Sequence, residues 1–175
     1  MADRFDLTRF VRDIPDFPKP GILFKDITPL LANPEALRIA VDQLAEKASK
    51  LSKIDAVAAA EARGFIFGSP IALALKVPFV PIRKPGKLPY DKISIEYDLE
   101  YGKDRLEVHS DAVAPGQKIL LIDDVLATGG TMKACADLVR SIGADVAACA
   151  FLMELGFLEG AKRLQPDEVI SLIRY

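Results

Sequence analysis

The sequence is poor in the residues that build metal centres and disulfide frameworks: 175 residues hold two cysteines, one histidine and no tryptophan. Cys135 and Cys149 fall in an apolar stretch with helical spacing and in an apolar strand-like run, a setting for buried free thiols rather than a bridge. With His109 alone, centres that need clustered imidazoles are excluded. No apolar stretch reaches the roughly 18 residues that a membrane span takes, and the charged N-terminus lacks a signal-peptide pattern, so the expectation is a cytoplasmic protein with no membrane partner. One-sided charge is missing too. The 23 Lys and Arg against 25 Asp and Glu leave a net charge of −2, which argues against nucleic acid as a partner, because a phosphate backbone asks for a basic face. Also absent are GxxxxGK[ST] and GxGxxG, so neither standard nucleotide cradle is available.

What is present is an apolar half, enough for a single domain over residues 1–175, with no linker, repeat or low-complexity tract. The chain is organised around residues 119–131, ILLIDDVLATGGT. Four branched apolar residues read as a strand buried on both faces, and charge begins where that strand is expected to stop, at Asp123 and Asp124. Ala127, Thr128, Gly129, Gly130 and Thr131 then form a small-residue loop leading into residues 132–140, whose apolar spacing is helical. Open α/β sheets bind ligands at junctions of this kind. Loop amides and two threonine hydroxyls suit a single terminal monophosphate, and carboxylates just upstream suit the hydroxyls of an attached sugar. A sugar phosphate is the implied ligand, although the residues alone leave open a metal pair or a solvated strand end.

This stretch resembles the phosphoribosyl pyrophosphate signature of the type I phosphoribosyltransferases. The resemblance implies a three-layer α/β domain with a mainly parallel central sheet. It also implies that Asp123 and Asp124 hold the ribose 2′ and 3′ hydroxyls while residues 127–131 hold the 5′-phosphate.

Leu7, Phe10, Val11 and Ile14 keep helical spacing and predict a short amphipathic helix that Pro15 ends. Prolines 18, 20 and 29 make residues 16–29 a shaped loop rather than a central strand or helix. Within it, Ile22, Leu23 and Phe24 suit either the sealing of a core or a flat platform for an apolar ring. FPKPGILFKDITPLL, residues 17–31, resembles the hood of the adenine branch of the family, here residues 1–33. There, backbone groups around Leu23 and Lys25 would read the adenine edge and the Phe24 ring would stack on it; Lys25 stands where arginine is common. Asn33 and Pro34 then predict a capped helix with an apolar stripe from Leu37 to Leu51.

Residues 54–60 read as a short strand, interrupted by Glu61, Ala62, Arg63 and Gly64 before a buried helix over 71–75. Arg63 on chemistry alone suits an ion pair with Glu61 or a helix cap. ARGFIFG, residues 62–68, resembles the family segment that places an arginine on the pyrophosphate; Glu61 and Ala62 depart from the Asp-Ser common there, and no side-chain role is assigned to them. After a strand over 79–82, the loop RKPGKLP carries Arg83, Lys84 and Lys87 at the sheet edge shared with Arg63 and Asp123. It is similar to the family's pyrophosphate loop, in which the second lysine, here Lys87, reaches into the neighbouring subunit of a homodimer. Pro85 occupies a position where a basic residue is common. Alternation over 94–99 and 105–109 reads as a hairpin with one solvated face, either a plain edge hairpin or a mobile flap. SIEYDLEYGKDRLEVH resembles the catalytic flap, so residues 84–112 would form the basic loop and flap, with Glu100 near the base and Tyr101 beside it in the lid. A strand over 146–152 follows, after which the family places an apolar base-pocket residue, matched by Leu155. Phe157, Leu158, Ala161 and Leu164 suit a short helix, and residues 169–173 a last strand.

Taken together these resemblances imply a purine-salvage transferase that moves the 5-phosphoribosyl group from phosphoribosyl pyrophosphate to adenine and yields AMP and pyrophosphate. Glu100 and Arg63 would be its catalytic residues, and Mg2+ would arrive on phosphoribosyl pyrophosphate rather than on protein ligands. Two alternatives stand beside it. A transferase for 6-oxopurines would want a basic residue after the penultimate strand, where residues 153–156 have none. A non-catalytic phosphoribosyl pyrophosphate sensor would want a DNA-binding helix pair, for which the first twenty residues leave no room.

Overall fold

Residues 5–51, 53–99 and 102–175 are described by the computed structural model, and they fall into two units, Met1–Asp42 and Gln43–Tyr175. In the first unit a single 3-10 turn, Leu7–Phe10, starts from Asp6, whose carboxylate accepts the Thr8 N–H at 3.0 Å. Helical spacing extended to Ile14 in the sequence, yet the helix stops at Phe10. Val11 is already extended, and Ile14 lies in strand β1 (Arg12–Pro15), paired antiparallel with β2 (Leu23–Asp26) so that Ile14 faces Phe24. Branched residues favour the pleat, and a two-stranded edge tolerates Pro15. The expected proline-rich loop therefore contains a strand, with Pro18 and Pro20 before it and Pro29 in the first turn of α1 (Thr28–Leu31). Helix α2 (Pro34–Ser49) opens as the sequence predicts: the Asn33 side chain accepts the Ala36 N–H at 2.9 Å. Its buried stripe ends at Ala48, and Leu51 lies past the helix and is exposed.

The second unit is built on β3 (Ala56–Ala60), β4 (Phe79–Ile82), the hairpin β5 (Lys92–Leu99) and β6 (Gly102–His109), β7 (Lys118–Leu126), β8 (Asp145–Glu154) and β9 (Val169–Arg174). Its five-stranded sheet runs β4-β3-β7-β8-β9 with every neighbouring pair parallel. Ile119, Leu120, Leu121 and Ile122 are all fully buried, as an unbroken branched run requires when both faces of a parallel strand are covered. One face, carrying Ala56, Ala58, Ile119 and Leu121, is covered by α4 (Gly130–Ser141) together with Leu106 and Val108 of the hairpin. The opposite face meets α3 (Arg63–Leu75). Small residues set that spacing. A Cβ added at Gly68 would lie 2.9 Å from the Ala59 methyl and 2.8 Å from the Phe79 ring, so the helix backbone already rests on side chains of the sheet. The result is the expected three-layer α/β arrangement.

Several boundaries differ from the sequence expectation. Strand β7 does not stop at the acidic pair; Asp123 still faces Phe151 and Val125 faces Met153 across to β8, because the ladder continues wherever the neighbouring strand does. Helix α3 begins at Arg63 rather than near residue 71, and it is buried on one face only, since Leu73 is 79% exposed. The short helix expected around residues 157–164 is two pieces, a 3-10 turn Gly156–Leu158 and α5 (Gly160–Arg163). The hairpin forms as predicted and its root is fixed: Arg83 and Glu107 exchange backbone hydrogen bonds of 2.9 and 2.7 Å. No helix among the described residues is long and apolar enough to cross a membrane.

Candidate active site

At the carboxyl ends of β3, β4 and β7, a cleft of about 700 Å³ opens in the second unit. Glu61, Ala62 and Arg63 reach it from the turn after β3, Lys84 from the end of β4, residues 123–131 from β7 and its loop, and Met132 and Arg163 from α4 and α5. The parallel register brings these junctions to one edge, so residues scattered over a hundred positions share one wall. The mixed lining of three cations and three carboxylates suits a ligand that carries both phosphate and hydroxyl groups.

The loop after β7 is shaped for close backbone approach. Gly129 caps α4 at φ +79°, a left-handed conformation that a side chain disfavours. A Cβ there would also lie 2.7 Å from the Gly160 carbonyl oxygen, and one on Gly160 would lie 2.1 Å from the Ala127 carbonyl oxygen. Two glycines thus dock the start of α5 on the loop, backbone against backbone. The α4 ladder begins with the Lys133 N–H on the Gly129 carbonyl at 2.9 Å, and the amides of Gly130, Thr131 and Met132 in the first turn have no carbonyl one turn back within the helix. Those amides and the Thr128 and Thr131 hydroxyls make an anion cradle at the positive end of a twelve-residue helix.

Asp124 is buried, 4% exposed, and the Arg63 Nε donates to its Oδ2 at 2.5 Å. The bond uses one donor of the guanidinium fork and leaves its two Nη groups without a hydrogen bond among the described residues. The Asp123 Oδ1 accepts the Asp124 N–H at 2.9 Å. Burial, with the Asp124 charge beside it, pushes the Asp123 carboxyl well above the usual range, although that amide and Arg63 pull the other way. Glu61 does not pair with Arg63. Its Oε2 accepts from the Arg83 Nε at 2.7 Å and its Oε1 from the Lys84 N–H at 3.0 Å. Burial opposes its charge, but the Arg83 hydrogen bond and the Lys84 amide outweigh it and hold the carboxyl below its ordinary value.

The structure brings Arg63, Lys84, Asp123, Asp124 and residues 127–131 together in the cleft. Arg83 stands just behind, held by Glu61, and the exposed Lys87 offers its carbonyl to the Arg83 Nη1 at 3.4 Å. Leu155 follows β8, where its N–H donates to the Leu126 carbonyl at 2.9 Å, and it is not part of the cleft wall. Leu23, Phe24 and Lys25 form β2 of the first unit: Leu23 is half exposed, the Phe24 ring meets the Phe17 ring edge to face at 5.1 Å, and Lys25 pairs with Asp13 at 2.6 Å. Glu100 and Tyr101 lie outside the described residues. Sequence reasoning missed Glu61, Gly160 and Arg163. Only Glu61 carried a signal, a charge beside a predicted cation, whereas the roles of Gly160 and Arg163 arise from the docking of α5. Both cysteines are buried and free, as expected; burial pushes the Cys149 thiol up to about 12 and raises Cys135 as well.

A family model described as the phosphoribosyl transferase domain matches residues 27–173. The chain is 57% identical to the adenine phosphoribosyltransferase of Rhodopirellula baltica over 170 residues, covering 97% of this chain and 82% of that one. Among solved structures, the adenine phosphoribosyltransferase of Thermoanaerobacter pseudethanolicus superposes with a TM-score of 0.93 at 53% identity, over 97% of this chain and 98% of that one. The Saccharomyces cerevisiae enzyme, solved with an imino-altritol bisphosphate and adenine, superposes with a TM-score of 0.88 at 39% identity over 95% and 96% of the two chains. With the acidic strand end, the phosphate-type loop and the paired cations at one sheet edge, the chain belongs to the adenine phosphoribosyltransferases of the type I phosphoribosyltransferase family.

Proposed function

We propose that the cleft binds phosphoribosyl pyrophosphate with its 5′-phosphate on residues 127–131, its ribose hydroxyls on Asp123 and Asp124, and its pyrophosphate toward Arg63, Lys84 and the Glu61-held Arg83. The protein is a purine-salvage enzyme that transfers the 5-phosphoribosyl group to adenine, giving AMP and pyrophosphate. The observation that carries the site assignment is the convergence of these groups. One cleft gathers the amides and hydroxyls of residues 127–131, the carboxylates Asp123 and Asp124, and the cations Arg63 and Lys84, with Arg63 bonded to Asp124.

The chemistry asks for positioning more than for strong acid or base. Pyrophosphate leaves C1′ through a cation-like state and a purine nitrogen adds to the same carbon. Arg63 and Lys84 stabilise the negative charge that develops on the leaving group, and the fixed hydroxyl and phosphate anchors hold C1′ in line. Oxygen donors dominate the floor, and among the described residues no three metal-binding side chains converge into a cage. This donor set fits a hard cation shared with the substrate; Mg2+ carried on pyrophosphate would supply neutralisation of the leaving charge. Glu100 would orient or deprotonate adenine, with Tyr101 beside it, and Leu23, Phe24, Lys25 and Leu155 would contact the base. A homodimer belongs to the same reading. Ile66 and Leu73 stand exposed seven residues apart on α3, an apolar stripe suited to a second copy, and Lys87 is free to reach across. A cytoplasmic location fits two cysteines that are both unpaired.

Initial rates with Mg2+, phosphoribosyl pyrophosphate and adenine, hypoxanthine or guanine in parallel test this function. AMP from adenine alone is the expected result, turnover of an oxopurine would overturn the base assignment, and binding without turnover would favour the sensor. Glu61→Gln probes the pyrophosphate end. It keeps an oxygen for the Lys84 amide but removes the charge that fixes Arg83, and pyrophosphate affinity is expected to fall about three- to tenfold while AMP affinity stays within about twofold.

A further inference from the structure

Each cation of the pyrophosphate end is matched to a carboxylate: Arg63 to Asp124, Arg83 to Glu61, and Lys84 to Asp104. The third pair differs in where its anion comes from. Asp124 and Glu61 line the cleft, whereas Asp104 belongs to β6 and reaches Lys84 from the hairpin. Tyr97 of β5 completes the arrangement. Its hydroxyl donates to the Asp104 Oδ2 at 3.1 Å and accepts from the Lys84 Nζ at 3.4 Å, and Tyr97 and Asp104 are direct cross-strand partners. The other Asp104 oxygen accepts the Arg105 N–H at 2.8 Å. Asp104 is therefore fixed by its own strand, by its neighbour across the hairpin and by Lys84, with its side chain only 25% exposed.

We propose that Asp104 competes with pyrophosphate for Lys84, so that the hairpin sets how firmly the product anion is held. An ammonium group has three donors but one charge. When the pyrophosphate approaches Lys84, part of that charge is already offset by Asp104, and the fixed carboxylate repels the incoming anion. Tyr97 gives Lys84 a neutral partner that it keeps in either arrangement. Product release is where such a competitor acts, because a Lys84 with no carboxylate beside it would retain pyrophosphate more firmly.

The inference rests on the assignment of Lys84 to the pyrophosphate, and the test separates the two. Pyrophosphate with Mg2+ is titrated calorimetrically into the wild type, Asp104→Asn, Lys84→Met and the double variant. Asn keeps the shape and one oxygen, which serves the Arg105 amide while its Nδ2 donates to the Tyr97 hydroxyl, so the hairpin is retained; Asp104→Ser serves as a second variant. Asp104→Asn is expected to tighten pyrophosphate about three- to tenfold, Lys84→Met to weaken it, and Asp104→Asn to have no effect in the Lys84→Met background. A purely structural role for Asp104 cannot tighten binding. Unchanged or weaker pyrophosphate binding in Asp104→Asn, or an equal gain with and without Lys84, overturns the competition. Unchanged binding in Lys84→Met removes the assignment beneath it.

Discussion

Gly160→Ala lowers kcat/KM for phosphoribosyl pyrophosphate by about a hundredfold, although residue 160 belongs to none of the groups that meet the reacting carbon. The added methyl would stand 2.1 Å from the Ala127 carbonyl oxygen and 3.0 Å from the Leu126 Cδ1. Relief needs a backbone shift of about 1 Å, either of α5 or of the loop it rests on, and misplacement of that size is what costs an active site such factors. The loss has a direction. AMP and ribose 5-phosphate, which use the loop, bind more weakly, whereas pyrophosphate, held at the opposite end, binds as before. Overpacking also lowers stability, by about 1–3 kcal/mol. Calorimetric titration of the three ligands checks this. Equal weakening of all three would mean general unfolding rather than a displaced loop.

Asp123→Asn is expected to cost about 10- to 100-fold in kcat/KM, since a charged acceptor of a ribose hydroxyl becomes neutral, and at the same time to raise Tm by about 2–4 °C. The gain follows from placement. Asp123 is held beside the buried Asp124, and burial first, then the Asp124 charge, lifts its carboxyl well above the usual range. A raised carboxyl keeps a proton in the folded state that the unfolded chain has already lost. Stability therefore falls as pH rises from about 4, the unfolded value, through the raised folded one. The stabilisation by Asp123→Asn is complete above that window and disappears below about pH 4. Asp124→Asn brings no such gain, because it strands the Arg63 guanidinium that Asp124 pairs with. Melting curves of wild type and variant across pH measure the effect; a variant less stable than wild type at pH 8 would contradict it.

The middle of the sheet was legible because β3, β7 and β8 are buried on both faces. Residues 119–122 are branched and too short a run for a helix of their own, and the order of strand, small-residue loop and helix at residues 119–140 is local in sequence. Strand ends were less legible. A carboxylate pair normally marks the edge of a buried strand, and nothing in residues 123–126 reports that β8 runs far enough to keep pairing with them. Resemblance to the family singled out residues 127–131, the acidic pair and Arg63, which the structure gathers into one cleft. The ion-pair pattern was not legible. Arg63 reads equally well with Glu61 two residues away, and only the approach of β7 to α3 hands it to Asp124 while β4 hands Arg83 to Glu61. Gly160 and Arg163 were silent for the same reason, since their contacts are made by a segment about thirty residues beyond the loop they touch.

Catalysis depends on which end of the cleft holds which phosphate. A crystal structure of the protein with AMP decides this directly. The 5′-phosphate is expected on the Thr128 to Thr131 amides and hydroxyls at about 3 Å, with both ribose hydroxyls on Asp123 and Asp124 and with Arg63 and Lys84 left clear for pyrophosphate. A 5′-phosphate seated instead between Arg63 and Lys84 would contradict the account.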